Sequence, residues 1–200
     1  MLLLGILLSG CYPKDELYIE DLDLVLTNYD KNTNFSSNKT YAISDSVVKL
    51  FSSDYTDPDG NGKPDFLKQS AANIIISKVN SNMAAYGYTR VNQNQNPDVT
   101  VLVTCFESTY VYYTYDYYYW GWYYPYYWYY PYPTSMYSSQ STGTIMMMML
   151  DNGELNDADM VPAVWTAVLN GLLDASHSGM SARVNVGIDQ AFSQSTYLKH

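Results

Sequence analysis

The sequence predicts an α+β domain: a mixed, mostly antiparallel sheet of about four to five strands, with two helices packed on it. Three observations carry this. Five short stretches are apolar or alternate apolar and polar residues at strand length. Two longer stretches place apolar residues three and four apart, as one face of a helix requires. Between two of the strands stands a segment unlike the rest, Tyr110–Tyr137, which holds most of the chain's 23 tyrosines and three of its 4 tryptophans.

The 200 residues suit one domain with a real core. Charged residues make up 15 % and the formal net charge is −10. That balance excludes a nucleic-acid binder, whose partner needs a basic surface, and electrostatic docking to anionic lipid. No internal repeat is visible.

Met1–Cys11 reads MLLLGILLSGC. Its apolar run is too short to span a bilayer. Leu8-Ser9-Gly10-Cys11 resembles the bacterial lipobox, in which small residues fit the signal peptidase and the thiol takes a diacylglyceryl group. That resemblance implies a signal peptide over residues 1–10, cleavage before Cys11, lipidation of Cys11 and acylation of its new amine. No Lys or Arg precedes the apolar run, a departure from the usual positive start. The alternative is a short N-terminal core strand. Residues 11–21 then form a linker. Tyr12 stands where an aspartate would resemble an inner-membrane retention signal, which favours the outer membrane. Lys14-Asp15-Glu16 resembles a surface-display signal, and a solvated linker explains it equally well.

The single domain is expected over residues 22–200. Leu22–Tyr29 opens it as a strand, and Asp30–Asn38 is a polar turn. Lys39–Ser44 is a second strand with Tyr41 and Ile43 on one face. In the loop that follows, Asp57, Asp59, Asn61, Gly62 and Asp65 fall on positions 1, 3, 5, 6 and 9 of the EF-hand Ca²⁺ pattern. Position 12 is Lys68, a cation where the bidentate glutamate belongs. A plain loop of turn-forming residues competes with a weak Ca²⁺ site. Phe66–Tyr86 is the best helix, with Ala72, Ile75, Ile76, Val79, Met83 and Tyr86 on one stripe. Asp65 can cap its start and Gly87 can end it.

Pro97-Asp98 opens a strand that runs to Phe106, with Val99, Val101, Val103 and Cys105 on one face. Strand, helix, strand reads as a crossover unit. Cys105 reads as a small buried hydrophobe. Thr142–Asp151 is the next strand. Met146–Met149 lie on it, and neighbours on a strand face opposite ways, so they cannot converge on a copper ion. Asp151–Asp159 is an acidic turn. Pro162–Leu169 is a strand, with a helix competing, and Trp165 faces with Ala163 and Ala167. Ala175–Gly179 is a loop. Arg183–Ser193 closes the domain as a helix with Val184, Ile188, Ala191 and Phe192 inward.

The order of these motifs resembles the bacterial lipoproteins grouped as domain of unknown function 4136. The carrying residues are Tyr29-Asp30, Phe35-Ser36, Lys39-Thr40-Tyr41-Ala42, Gly87-Tyr88 and Pro97-Asp98-Val99. Gly143-Thr144-Ile145 through Leu150-Asp151, Val164-Trp165-Thr166 and Ala191-Phe192 follow. The closing Ser-Pro common in such proteins is Ser195-Thr196 here. The resemblance implies an α+β lipoprotein domain and no reaction, so no catalytic residue is carried over.

The residues themselves offer little chemistry. His177 sits in a Ser-His-Ser-Gly loop and His200 is the last residue. Gly-x-Ser-x-Gly, His-Glu-x-x-His, Cys-x-x-Cys and phosphate-loop strings are absent. The aromatic insertion is the stronger signal. Pro125, Pro131 and Pro133 and the many hydroxyls exclude a membrane span. Adjacent tyrosines would face both sides of an extended backbone, so some must be exposed. Tyr and Trp suit interfaces, and Tyr119, Trp120, Trp122, Tyr127 and Trp128 are the expected contacts; a self-packed aromatic cap over the sheet is the competing reading. The expectation is a non-catalytic, lipid-anchored outer-membrane protein without cofactor, touching an envelope protein, a glycan or the headgroup zone. A carbohydrate-binding module is the alternative, and a hydrolase a third.

Overall fold

The computed structural model describes residues 24–50, 65–106, 143–153, 161–170 and 179–200. The chain forms β1 (Val25–Tyr29), β2 (Thr40–Ile43), β3 (Val48–Leu50), α1 (Gln69–Ala85) and β4 (Thr89–Arg90). Then come β5 (Val99–Phe106), β6 (Thr144–Asp151), β7 (Ala163–Leu169) and α2 (Met180–Ser193). Among the described residues, no helix is long and apolar enough to cross a membrane.

The fold is α+β with two helices on a mixed sheet, but the sheet has seven strands rather than four to five and is not mostly antiparallel. Its order is β1-β7-β6-β5-β2-β4, with β3 also on β5. β1 pairs antiparallel with β7, β7 with β6, and β6 with β5. β2 pairs parallel with both β4 and β5, and β3 pairs parallel with β5. The two extra strands are three and two residues long, too short to show a period in sequence. The connection β3-α1-β5 joins parallel neighbours through a helix, the crossover expected from the pattern.

Both helices cover one face of the sheet. Ala72, Ile75, Ile76, Val79 and Met83 of α1 and Val184, Ile188, Ala191 and Phe192 of α2 form one core with alternate strand residues. Those are Val99, Val101, Val103 and Cys105 of β5, Ile145, Met147 and Met149 of β6, and Trp165, Ala167 and Leu169 of β7. The methionines split between faces as the strand period requires: Met147 and Met149 meet the helices, while Met146 and Met148 are buried on the other face with Leu102, Leu150 and Val168. Val164 departs from the expected alternation and also joins the helix-side core. A register shift between Met149 and Leu150 lets two residues of β7 oppose one step of β6 there.

The start of α1 also differs from expectation. Asp65 does not cap it; Lys68 stands at the N-cap without a side-chain hydrogen bond. Residues 65–67 are occupied with the sheet instead. Lys49 N donates to Asp65 O, Leu67 N donates to Val47 O, and Phe66 bridges to Val48. The other end follows the sequence. Gly87 takes φ +97°, Tyr88 N donates to Met83 O and Gly87 N donates to Ala84 O, which closes a Schellman motif. A Cβ at Gly87 would stand 3.0 Å from the His200 Cβ.

Candidate functional site

Strand directions bring four chain segments to one end of the sheet. β5 leaves at Phe106 and β6 enters at Thr144, and these two residues are paired. β3 leaves at Leu50, opposite Phe106. β1 enters at Val25, opposite Leu169, and Leu169 is paired with Ile145. Asn170 N donates to Leu24 O, and Thr144 Oγ1 donates to Asn170 Oδ1 at 3.0 Å. The segments that begin or end here are 1–23, 51–64, 107–142 and 171–178. They carry Leu8-Ser9-Gly10-Cys11, the acidic Asp-Gly-Asn loop, the aromatic insertion and His177.

Cys11, Asp57, Asp59, Asn61, His177, Tyr119, Trp120, Trp122, Tyr127 and Trp128 lie outside the described residues. Asp65 is described, and its backbone is engaged with Lys49. Among the described residues, no three His, Cys, Asp or Glu side chains stand close enough to hold a metal ion. Cys105 is buried on the helix-side face of β5.

The opposite end of the sheet is polar. The Asp98 carboxylate accepts from Lys39 N, Thr40 N and Thr40 Oγ1, each at 2.8 Å. Burial works to raise its pKa, but these three donors win and hold it below the ordinary carboxylate value. Asn38 Nδ2 donates to the buried Asp151 carboxylate at 3.1 Å, and Gly153 N donates to its other oxygen. The Tyr88 ring packs edge-on against His200, centroids 4.4 Å apart. Burial, aided by the Asp151 charge, pushes the Tyr88 phenol up to about 12. Burial and the Lys39 ammonium push His200 down, against a backbone hydrogen bond at Asn38. These groups tie chain ends together and keep the phenol neutral.

One open cleft of about 630 Å³ lies against β2 and β4, lined by Ser44, Asp45, Arg90, Asn92 and Gln93 among others. Its cation is engaged: Arg90 Nη2 donates to Asp45 Oδ1 at 2.8 Å and to Ile43 O at 3.1 Å. Sequence reading passed over this pair because β4, two residues long, left Arg90 looking like a loop residue.

The motif residues turn out to be framework. Tyr29 stacks on Tyr197, centroids 3.8 Å apart, with Phe35 against both rings. The buried Trp165 indole donates to Ser195 Oγ at 2.8 Å, and Tyr197 donates to the same oxygen at 3.1 Å. Lys39-Thr40 and Pro97-Asp98 are the two sides of the carboxylate lock described above. A family profile described as Domain of unknown function (DUF4136) matches residues 25–195. The chain belongs to the DUF4136 family.

A crystal structure of a DUF4136 family protein from Bacteroides thetaiotaomicron is similar to this chain, with 29 % identity and a TM-score of 0.64. It covers 88 % of this chain and 97 % of that one. A PelC dodecamer from Paraburkholderia phytofirmans aligns over 90 % of this chain and 100 % of that chain, with 15 % identity and a TM-score of 0.41. A PDZ domain protein from Parabacteroides distasonis aligns over 89 % of this chain and 36 % of that chain, with 14 % identity and a TM-score of 0.48. No curated protein matches. Membership in DUF4136 assigns no reaction.

Proposed function

We propose that this DUF4136 protein is a lipid-anchored cell-envelope binding module, held in the outer membrane through Cys11. The aromatic segment Tyr110–Tyr137 is its contact surface, with Tyr119, Trp120, Trp122, Tyr127 and Trp128 the principal contacts and an envelope protein or glycan the partner.

The observation that carries this reading is the pairing of Phe106 with Thr144. β5 and β6 stay in register over eight residue pairs, down to the point where the insertion begins. A turn of about 2–5 residues suffices to join such neighbours. A segment far longer than closure requires, rich in Tyr and Trp, is what a recognition surface on a rigid scaffold needs. The framework role of the motif residues supports a binding module over an enzyme. Carbohydrate binding is the second reading, favoured by the aromatic faces that stack on sugars.

The test is a pull-down from envelope extracts with the full chain and with a chain lacking Tyr117–Tyr132. Loss of a partner in the second supports the contact surface. Identical capture by both counts against it. An array of envelope glycans separates the two readings, and mass spectrometry of the mature N-terminus reads Cys11 acylation directly.

A further inference from the structure

The cleft against β2 and β4 lies at the β4 edge of the sheet. Its volume, about 630 Å³, falls within the range of small-molecule sites, roughly 300–1,000 Å³. Short hydrogen bonds hold both walls. On one, Ser46 N donates to Ser44 Oγ and Gln69 Nε2 donates to Asp45 O, each at 2.9 Å. Arg90 Nη2 spans Asp45 Oδ1 and Ile43 O. On the other, Asn92 and Gln95 form a reciprocal box, in which each side-chain oxygen accepts the other's backbone N–H.

These bonds use up acceptors and leave donors. Asn92 Nδ2, Gln95 Nε2 and the Nε and Nη1 groups of Arg90 have no hydrogen-bond partner among the described residues. Beside them stands the Asp45 carboxylate, its side chain 82 % exposed and its second oxygen available to accept. Donors next to an acceptor match a hydroxyl, which accepts from one and donates to the other. The exposed carboxylate and the net charge of −10 disfavour an anion, and the Arg90 guanidinium disfavours a cation. Ala42 and Val91 add a small apolar surface for the C–H face of a sugar ring.

We propose that this cleft binds a neutral saccharide. Asp45 and Arg90 share its neighbouring hydroxyls, and the Asn92 and Gln95 amides donate to its remaining oxygens. The site uses no residue of the aromatic segment, so it stands or falls apart from the contact surface proposed above.

The experiment is amide-resolved NMR of the chain with Cys11→Ser, titrated into the millimolar range with maltose and with N-acetylglucosamine. Saturating shifts are expected at the backbone amides of Asp45, Arg90, Asn92 and Gln95 with at least one of the two sugars. Arg90→Ala and Asp45→Ala each weaken binding about tenfold, as for loss of a hydrogen bond to a charged group. Gln95→Glu keeps the acceptor of the box and removes the amide donor, so it weakens binding about fivefold with the fold untouched. Lys78→Ala, which breaks the ion pair with Asp189 between the helices, leaves binding unchanged. No saturable shift with either sugar overturns the proposal, and so do cleft shifts that all three cleft variants leave intact. Shifts confined to the indoles of Trp120, Trp122 and Trp128 overturn it as well, because the sugar then sits on the aromatic segment alone. Saturation of the Arg90 amide by inorganic phosphate but by neither sugar would make the ligand an anion and likewise overturn it.

Discussion

Thr40 and Asp98 hold each other at the start of two parallel strands. Thr40 donates to the Asp98 carboxylate through its backbone N and its Oγ1, and Asp98 N donates back to Thr40 Oγ1 at 3.0 Å. Parallel pairing of β2 with β5 begins one residue later, at Tyr41 and Val99. The lock thus fixes the register that carries Tyr41 and Ile43 into the helix-side core.

Asp98→Asn should therefore destabilise the domain by about 1–2 kcal/mol, the worth of charge-assisted hydrogen bonds reduced for partial exposure. The folded carboxyl lies below its ordinary value, so its stabilisation is present above the unfolded constant, about 4. It is lost as pH falls through the folded value. Urea unfolding at several pH values checks this: the wild type should lose more stability than Asp98→Asn on going from neutral pH to below 4.

Ser195→Ala should cost about 1–3 kcal/mol. Ser195 is fully buried and accepts from both Trp165 Nε1 and Tyr197, so its loss strands an indole donor. The indole is the larger sufferer. In a double-mutant cycle with Trp165→Phe the costs should fall short of their sum. Additive losses would mean that the bond contributes little.

Gly87→Ala should lower stability by more than about 1 kcal/mol, because φ is +97° and the new Cβ would meet His200. Thermal unfolding reads this directly. A neutral result would show that the helix end relaxes without cost.

The acidic loop should bind Ca²⁺ with a dissociation constant no tighter than about 10⁻⁴ M, as for weak extracellular modules. Lys68 replaces the bidentate ligand, and Asp65 is bound to Lys49 through its backbone. Calorimetry showing micromolar binding that Asp57→Ala abolishes would contradict this.

Much of the fold was legible because its strands and helices are long enough to show a period. Tyr41 with Ile43, Val99 to Cys105, and the α1 stripe all face the core as their spacing requires. β3 and β4 were not legible, and with them went the parallel pairings β2–β4 and β3–β5. Asp65 looked like a cap in sequence because nothing local shows that residues 65–67 pair with β3 first. The aromatic segment was legible from composition alone. That β5 ends and β1 and β6 begin at one end of the sheet was not, because it follows from strand direction and register. Arg90 and Asp45 meet only through the placement of β4 beside β2.

The central claim is that the aromatic segment serves contact rather than the core. The most direct measurement is the full chain with Tyr119, Trp120, Trp122, Tyr127 and Trp128 all changed to Ser, followed by thermal unfolding and envelope capture together. Met146, Met148 and Leu102 form a buried face that neither helix covers, so the unfolding arm carries equal weight. The account predicts cooperative unfolding within a few degrees of wild type, with capture lost. Loss of cooperative unfolding would make those rings part of the core, and retained capture would place the contact elsewhere; either result would contradict it.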